Sequence, residues 1–418
     1  MKMTTTRTTT TTTTTKTSTT MLIALAVAGL AAVGAHARQG CTTDLNGDGI
    51  VNGADLTVLA SEWGATFAPV ASSVSPASGP LQGGTEVTIT GSHLAATTAV
   101  TIGGVEVPKI VSRSAESVVV ITPPGGGGPT DVVVTTPFGA ATIVGGFSYS
   151  SPVPWATILE FSPDPAVVTD ASLRAAIIAT GLPWRVRDNA SQIEMLLVPP
   201  GTFMMGCSPS DQYGCREDEL PVHEVTLTQP FYLGRFEVTQ AQWTAVMGSN
   251  PSQFQGQVDS PSRPVERVSW NMLQVFETST GFRLPTEAEW EYACRAGTTT
   301  AFNNGSNVDA TLGSLAWFNA NSGDQTRPVG QKLANALGFH DMHGNVWEWC
   351  EDWYGSDYYS QSAGVDPQGP ASGTFGLGLT RGGSFNRNPF PCRTSGERGG
   401  NPRSTGATDN GFRVARTP

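Results

Sequence analysis

The densest chemistry in the chain lies at residues 338–354, GFHDMHGNVWEWCEDWY. Three tryptophans, four carboxylates, two histidines and one cysteine share this stretch. With Asp341 as position 1, Gly344, Val346 and Glu348 fall at positions 4, 6 and 8. Two carboxylates bracketing backbone carbonyls, with a glycine allowing a sharp bend, suit a hard, oxygen-ligated cation such as Ca²⁺. The same residues also suit a turn entering an aromatic core strand, with the carboxylates in solvent. His340 and His343 have the spacing of half a transition-metal motif, with no helical histidine cluster to complete it.

A second oxygen-rich set runs from Asp44 through Asn46, Asp48 and Asn52 to Asp55. These occupy positions 1, 3, 5, 9 and 12 of an EF-hand loop, with Gly49 at position 6 and the Ile50 carbonyl at position 7. Leu56, Val58, Leu59 and Trp63 give the apolar period of an exiting helix. Asp55 stands where a bidentate Glu is usual, and calcium binding is expected with the weak affinity of extracellular modules, roughly 10⁻⁴ to 10⁻³ M. The segment resembles one dockerin repeat. That resemblance implies a cohesin-like partner in an extracellular polysaccharide-degrading assembly; a calcium-stiffened linker fits the residues equally.

The compartment follows from the first residues. Residues 1–20 are nearly all Thr, with Lys2, Arg7 and Lys16 as the charges, and an apolar run to residue 35 ends in Ala35-His36-Ala37. This is the pattern of a secretory signal peptide cut after Ala37, and the apolar run is short of the ~20 residues a membrane span needs. All six cysteines then meet an oxidising compartment. Cys207 and Cys215 frame seven residues, and a bridge there would staple the loop by roughly 2.5 kcal/mol. Cys41 either pairs with Cys350 or stays free.

Positioning these groups falls to loop-rich domains. Of 418 residues 14% are charged, while Gly numbers 48 and Pro 29, a composition suited to turns over helical bundles. A net charge of -11 without a basic cluster argues against nucleic acid and anionic membrane as partners. β-Branched runs at 86–90, 99–102, 117–121 and 131–135, separated by glycine turns, predict a small antiparallel sandwich. With SPASGPLQGGTEVTITG at 75–91 and GFSY at 146–149, this part resembles an IPT/TIG immunoglobulin-like domain. Pro152, Pro154, Pro163 and Pro165 mark a join. Helices are predicted at 169–179 (Thr169 or Asp170 as cap, Gly181 as stop), at 240–247, and at 285–294 with Thr286 as cap.

Six motifs in order carry a further resemblance: VPPGTFMMG at 198–206, VERVSWN at 265–271, GFRLPTEAEWEYACRAG at 281–297, GNVWEW at 344–349, RGGSF at 381–385 and NGFRVA at 410–415. Over about residues 190–417 the chain resembles the formylglycine-generating enzyme, or sulfatase-modifying factor, family. The resemblance implies an α+β, C-type-lectin-like fold and structural calcium at Asp341, Gly344, Val346 and Glu348. It also implies Cu(I) held by two cysteines past the GGS motif, thiolates suiting that soft ion. Counting forward from Ser384, those positions are Arg387 and Cys392, so one thiolate is missing; Ser384 and Trp347 match residues lining the active site. A family disulfide implies a Cys294–Cys392 bridge. Glu277 and Val414 stand at the places of a second.

The expected organisation is therefore multi-domain: signal peptide 1–37, dockerin-like calcium loop and helix 38–66, all-β immunoglobulin-like sandwich 69–150, linker with a short helix 151–190, and sulfatase-modifying-factor-like domain 191–418. The expected function is an exported modular protein. Its last domain has lost the copper pair and serves as a calcium-stabilised, lectin-like module for a peptide or glycan. The alternative is an oxidoreductase converting a substrate cysteine to formylglycine with O₂, with Cys392, Ser384 and Trp347 at the catalytic site.

Overall fold

The computed structural model describes residues 67–208, 211–396 and 398–418, together with Val58. The signal segment, the Asp44–Asp55 loop and Cys41 lie outside the described residues. The chain divides into two compact units, meeting in sequence at Tyr149 and Ser150.

The first unit is a sandwich of two antiparallel sheets. One has strand order β1–β3–β7–β6, from Val70–Ser75 (β1), Glu86–Ser92 (β3), Lys109–Arg113 (β6) and Ser117–Ile121 (β7). The other has order β2–β9–β8–β4–β5, from Ser78–Pro80 (β2), Ala99–Ile102 (β4), Val105–Glu106 (β5), Gly128–Thr136 (β8) and Gly139–Ser150 (β9). Alternation sends Val87, Ile89, Val118 and Val120 inward from the first sheet, and Val100, Ile102, Val132, Val134 and Phe147 from the second. The buried Tyr149 hydroxyl donates to the Pro123 carbonyl at 2.6 Å, so the ring fills the core without an unpaired polar atom.

The second unit is α+β. Its largest sheet has order β10–β11–β12–β15–β20, from Ala156–Glu160 (β10), Arg185–Asp188 (β11), Glu194–Val198 (β12), Phe231–Gly234 (β15) and Ala415–Arg416 (β20). Residues 151–190, expected as a linker, are thus part of this unit. The prolines flank β10 without interrupting it, and Arg185 fixes the edge by pairing with Glu160 at 2.6 Å and Glu194 at 2.9 Å. The short helix in that stretch, Ala171–Ala179 (α1), has Asp170 as its cap.

A hairpin of Gly201–Met205 (β13) and His223–Leu227 (β14) follows. Helices Gln240–Met247 (α2), Trp270–Thr280 (α3) and Glu287–Arg295 (α4) begin at the side-chain caps Thr239, Ser269 and Thr286. Trp243 of α2 stacks on Phe276 of α3 at 5.5 Å, and both meet Phe412 edge-on. The aromatic stretch becomes Trp347–Trp353 (β16), a central strand between Leu377–Arg381 (β17) and, in parallel, Asn410–Gly411 (β19), with Gly399–Pro402 (β18) beyond β17. Trp347, Glu348, Trp349, Cys350 and Asp352 of β16 are buried, so tryptophans and carboxylates are inside together, while Glu351 and Trp353 are half-buried.

Burying those carboxylates requires cations. Arg295, Arg381, Arg393, Arg398 and Arg413 are each at most 3% exposed. Arg381 reaches Glu291 at 2.6 Å, Arg398 reaches Glu287 at 2.7 Å, Arg393 reaches Glu219 at 2.6 Å and Arg413 reaches Glu348 at 2.5 Å. Glu287, in the first turn of α4, is 1% exposed and works as a core counter-ion. Glu289 takes the capping role, and Arg283 holds it through both of its oxygens.

Candidate functional site

The residues at 341–348 converge on a buried carboxylate centre. Gly344, at φ 89°, lies so close to the Trp317 carbonyl that a Cβ would sit 2.3 Å from it, which excludes every other residue. The bend brings Glu237 onto the turn: its two oxygens accept from the Val346 amide at 3.0 Å and from Asn345 Nδ2 at 2.6 Å. Asp341 Oδ2 accepts from the Gly330 amide at 2.7 Å, while Oδ1 is buried with no hydrogen-bond partner. Glu348 is heavily engaged, accepting from Arg413 Nε at 2.6 Å, Arg413 Nη2 at 2.5 Å and Trp290 Nε1 at 2.7 Å.

The electrostatics follow from burial. Burial, then Asp341 and Glu348 nearby, push the Glu237 carboxyl well above the usual range. Burial also lifts Asp341 to about 6, aided by Glu348 and opposed by the Gly330 amide and Arg413. Three acidic side chains therefore share one buried guanidinium, with Lys332 a further cation acting on Asp341.

Of the four implied calcium ligands, Asp341 fits by its orphaned oxygen, and the Gly344 and Val346 carbonyls share its turn. Glu348 already serves Arg413 and Trp290, leaving it only spare lone pairs. Among the described residues no group of three or more His, Cys, Asp or Glu is arranged to hold a metal by side chains alone. His340 and His343 do not form a metal pair. The ring Nδ1 of His340 is 2.8 Å from the Lys332 carbonyl, and that of His343 is 2.6 Å from the Cys392 carbonyl. His343 Nε2 accepts from the Asn303 amide at 3.3 Å, and burial lowers this imidazole to about 4, keeping it neutral.

The second constellation is gathered by the turn after β17. Ser384 Oγ lies 2.9 Å from Asn386 Oδ1 and 3.3 Å from Asp409 Oδ2. Arg387 Nη2 reaches the same Asp409 oxygen at 3.3 Å, with half of its side chain (51%) in solvent. Trp347 joins through its backbone, its amide donating to the Asp409 carbonyl at 2.7 Å. Glu266 lies close enough for Asp409 to raise it, after burial has done most of that; one of its oxygens has no partner.

Cys392 is adjacent but sealed. Gly383, at φ 73°, lets the sulfur lie against the backbone; a Cβ there would be 2.6 Å from Sγ. The thiol is fully buried among Ala301, Phe302, Leu312, Leu315, Ala316 and Phe318, and burial pushes it up to about 12. A thiol so enclosed stays protonated and out of contact with solvent. The two-thiolate copper site does not fit these residues: Arg387 is a cation and Cys392 is neutral and closed.

The cysteine expectations divide. Cys207 and Cys215 are bonded. The Cys294–Cys392 bridge is not formed, and both thiols are free and buried, as is Cys350. The inner face of α4 sends Cys294 into the main core, where Sγ meets the Met342 carbonyl at 3.8 Å. The Cys392 thiol meets the Asn388 carbonyl at 3.6 Å in the separate cluster described above.

Glu237, Asp409, Arg413 and Trp290 contact these sites and were not singled out as members of them from sequence. Arg413 and Trp290 lie inside the GFR and EAEW motifs, the signal that could have found them; Glu237 precedes α2 as an unremarked acid in an apolar run.

Comparison with known proteins finds two domains in the chain. An IPT/TIG domain matches residues 69–151, and a sulfatase-modifying factor enzyme 1-like domain matches residues 178–418. A chaperone protein LppX of Paenibacillus barcinonensis is 35% identical over 189 residues, 31% of this chain; the chain spans 64% of that relative's length. A formylglycine-generating enzyme of Thermomonospora curvata is 30% identical over 292 residues, covering 54% of this chain and 93% of the enzyme. Among solved structures, Treponema denticola variable protein 1 has 30% identity and a TM-score of 0.48, covering 54% of this chain and 95% of that one. With more than half of its residues matched by the one domain, the chain belongs to the sulfatase-modifying factor enzyme 1-like family.

Proposed function

We propose that the C-terminal domain is a calcium-stabilised, C-type-lectin-like binding module that takes a peptide or glycan and does not oxidise thiols. Arg387 carries this reading. It stands where the family places the first copper thiolate, and its guanidinium lies on Asp409 beside Ser384. A fixed cation there opposes a soft cation that needs two anions. At ~5 Å and an effective dielectric of about 20, two unit charges repel by roughly 3 kcal/mol, before the lost bond is counted. What remains is an exposed Asn386–Arg387 rim over Asp409, Ser384 and Trp347, offering both charges, an amide and a hydroxyl for recognition.

Calcium is supported by the orphaned Asp341 oxygen and by the charge imbalance of Glu237, Asp341 and Glu348 against Arg413. Asp341, with the carbonyls of Gly344 and Val346 and a spare lone pair of Glu348, would hold it, and the ion would neutralise the centre. The leader and the dockerin-like loop support export and attachment to an extracellular assembly, with the sandwich as spacer. The oxidoreductase reading is favoured by one observation, a free Cys392 thiol beside Ser384.

The deciding assay incubates the copper-loaded full chain with a Cys-x-Pro-x-Arg peptide, O₂ and a thiol reductant, and reads the peptide by mass spectrometry. No aldehyde above background is expected. Peptide and glycan arrays should show binding that Arg387→Ala and Asp409→Asn abolish. Clear formylglycine formation would overturn the binding reading.

A further inference from the structure

The disulfide is more than a loop staple, because of what it closes over. Its loop is rooted on α4: the Gly206 amide donates to Glu291 at 2.9 Å, and Arg295 donates to the Gly206 carbonyl at 2.5 Å. At the other root the Cys207 amide donates to the Glu219 carbonyl at 3.1 Å. Between Asp211 and Glu219 the chain forms a strap that grips two separate elements.

The first is the turn carrying Cys392. Arg393, next in sequence, is gripped by Asp211 on one nitrogen and by Glu219 at 2.6 Å on the other. Tyr213 meets the Phe390 ring edge-on at 5.3 Å, and Arg393 lies 4.2 Å over that same ring. The second is the helical turn at 309–314, where the Tyr213 hydroxyl donates to Asp309. That turn supplies Leu312 to the wall around Cys392. One strap thus ties together the two walls of the pocket that encloses the thiol.

We infer that residues 211–219 are a redox-controlled clasp: with Cys207–Cys215 oxidised the walls around Cys392 stay shut, and with that bond reduced the thiol opens to solvent. The inference rests on the Asn386–Arg387 rim being the domain's working site, and names the regulation of the turn that follows it. Cys207 is buried while Cys215 is exposed, so the bond can be attacked from one side. A dithiol reductant's thiolate attacks Cys215 Sγ, and Cys207 leaves as a thiolate and takes up a proton. The reductant's second thiol then releases Cys215, so two electrons and two protons pass to the protein and the reductant becomes a disulfide. The strap, no longer closed into a ring, has more conformations to lose when it regrips Arg393.

The test is the rate at which N-ethylmaleimide labels each free cysteine in the full chain, read by peptide mass spectrometry, before and after treatment with dithiothreitol and its removal. Cys392 should label at least about tenfold faster after reduction, while Cys294 and Cys350, in the main core, stay slow. The Cys207→Ser/Cys215→Ser variant should match the reduced protein. Tyr213→Ala, with the disulfide intact, should speed Cys392 labelling on its own. Equal Cys392 rates in both states, fast Cys392 labelling in the oxidised protein, or all three thiols speeding together would each overturn the clasp. None of these outcomes depends on the domain's ligand, so the binding reading stands or falls separately by the peptide assay and arrays.

Discussion

Replacing Arg413 by Met should nearly unfold the C-terminal unit. The guanidinium supplies two of the three hydrogen bonds to Glu348, at 2.6 and 2.5 Å, and the Glu348 residue is 1% exposed. Removing one partner of such a buried pair costs about 3–5 kcal/mol, because an uncompensated charge is left inside. Arg413 also donates to the Gly234 and His340 carbonyls at 3.0 Å each, and stranding them adds about 1–2 kcal/mol. A total of roughly 4–7 kcal/mol is comparable to the whole stability of a typical domain, about 5–15 kcal/mol. The double variant Arg413→Met/Glu348→Gln should recover at least about 2 kcal/mol of this, since the stranded charge is gone. Urea unfolding followed by tryptophan fluorescence reports chiefly on the right unit, because nine of the ten tryptophans lie between residues 155 and 353 and the tenth is Trp63. A loss below about 1 kcal/mol for Arg413→Met, or strict additivity of the two substitutions, would refute the picture of Glu348 as a charge held by Arg413. Rescue of Arg413→Met by millimolar Ca²⁺ would show that a cation can take the guanidinium's place.

Three further outcomes are expected. The melting temperature of the C-terminal unit, followed by tryptophan fluorescence in the full chain, should fall when EDTA removes calcium; an unchanged value would eliminate calcium at Asp341. Burial, then the charge of Glu351, lifts the Glu277 carboxyl to about 7, so the folded state holds a proton that the unfolded chain has released. Its contribution is therefore intact at low pH, declines from about pH 4.5 to about pH 7, and is flat above; Glu277→Gln, followed by urea midpoints across that window, should remove the decline. Non-reducing peptide mapping should find Cys207 joined to Cys215, and Cys294, Cys350 and Cys392 unbonded; a Cys294–Cys392 peptide would contradict the separation of their two cores.

Local signals made much of this architecture legible. Capped helices with apolar faces gave α2 at its observed bounds and α4 within two residues, and period-two β-branched runs gave the sandwich strands. The short spacing of Cys207 and Cys215 was enough for their bond, since ring closure needs no knowledge of the fold. What escaped was non-local. Glu237 meets Asn345 across 108 positions, and Arg393 meets Glu219 across 174, so nothing nearby in sequence marks either acid as buried. The proline-rich join misled for a related reason: prolines on both sides of a strand read as a linker until its partner, Arg185–Asp188, is in place. The family position of Cys392 was legible, but its closure depends on a cluster from residues 301–318 that carries no motif.

The buried arginines also constrain when this domain can form. Four of their carboxylate partners, Glu219, Glu287, Glu291 and Glu348, are synthesised before any of Arg381, Arg393, Arg398 and Arg413. A growing chain that has reached β16 thus holds these acids with only Arg295 beside Glu291 as a counter-ion, and collapsing around them would strand several charges in a low-dielectric interior. The β15 edge likewise waits for β20, and β16 for β17 and β19. The sandwich, complete by residue 150, can fold while synthesis continues. The domain behind it is held open until residues 381–416 arrive, making its folding a single late event with the exposed acids keeping the unfinished chain soluble.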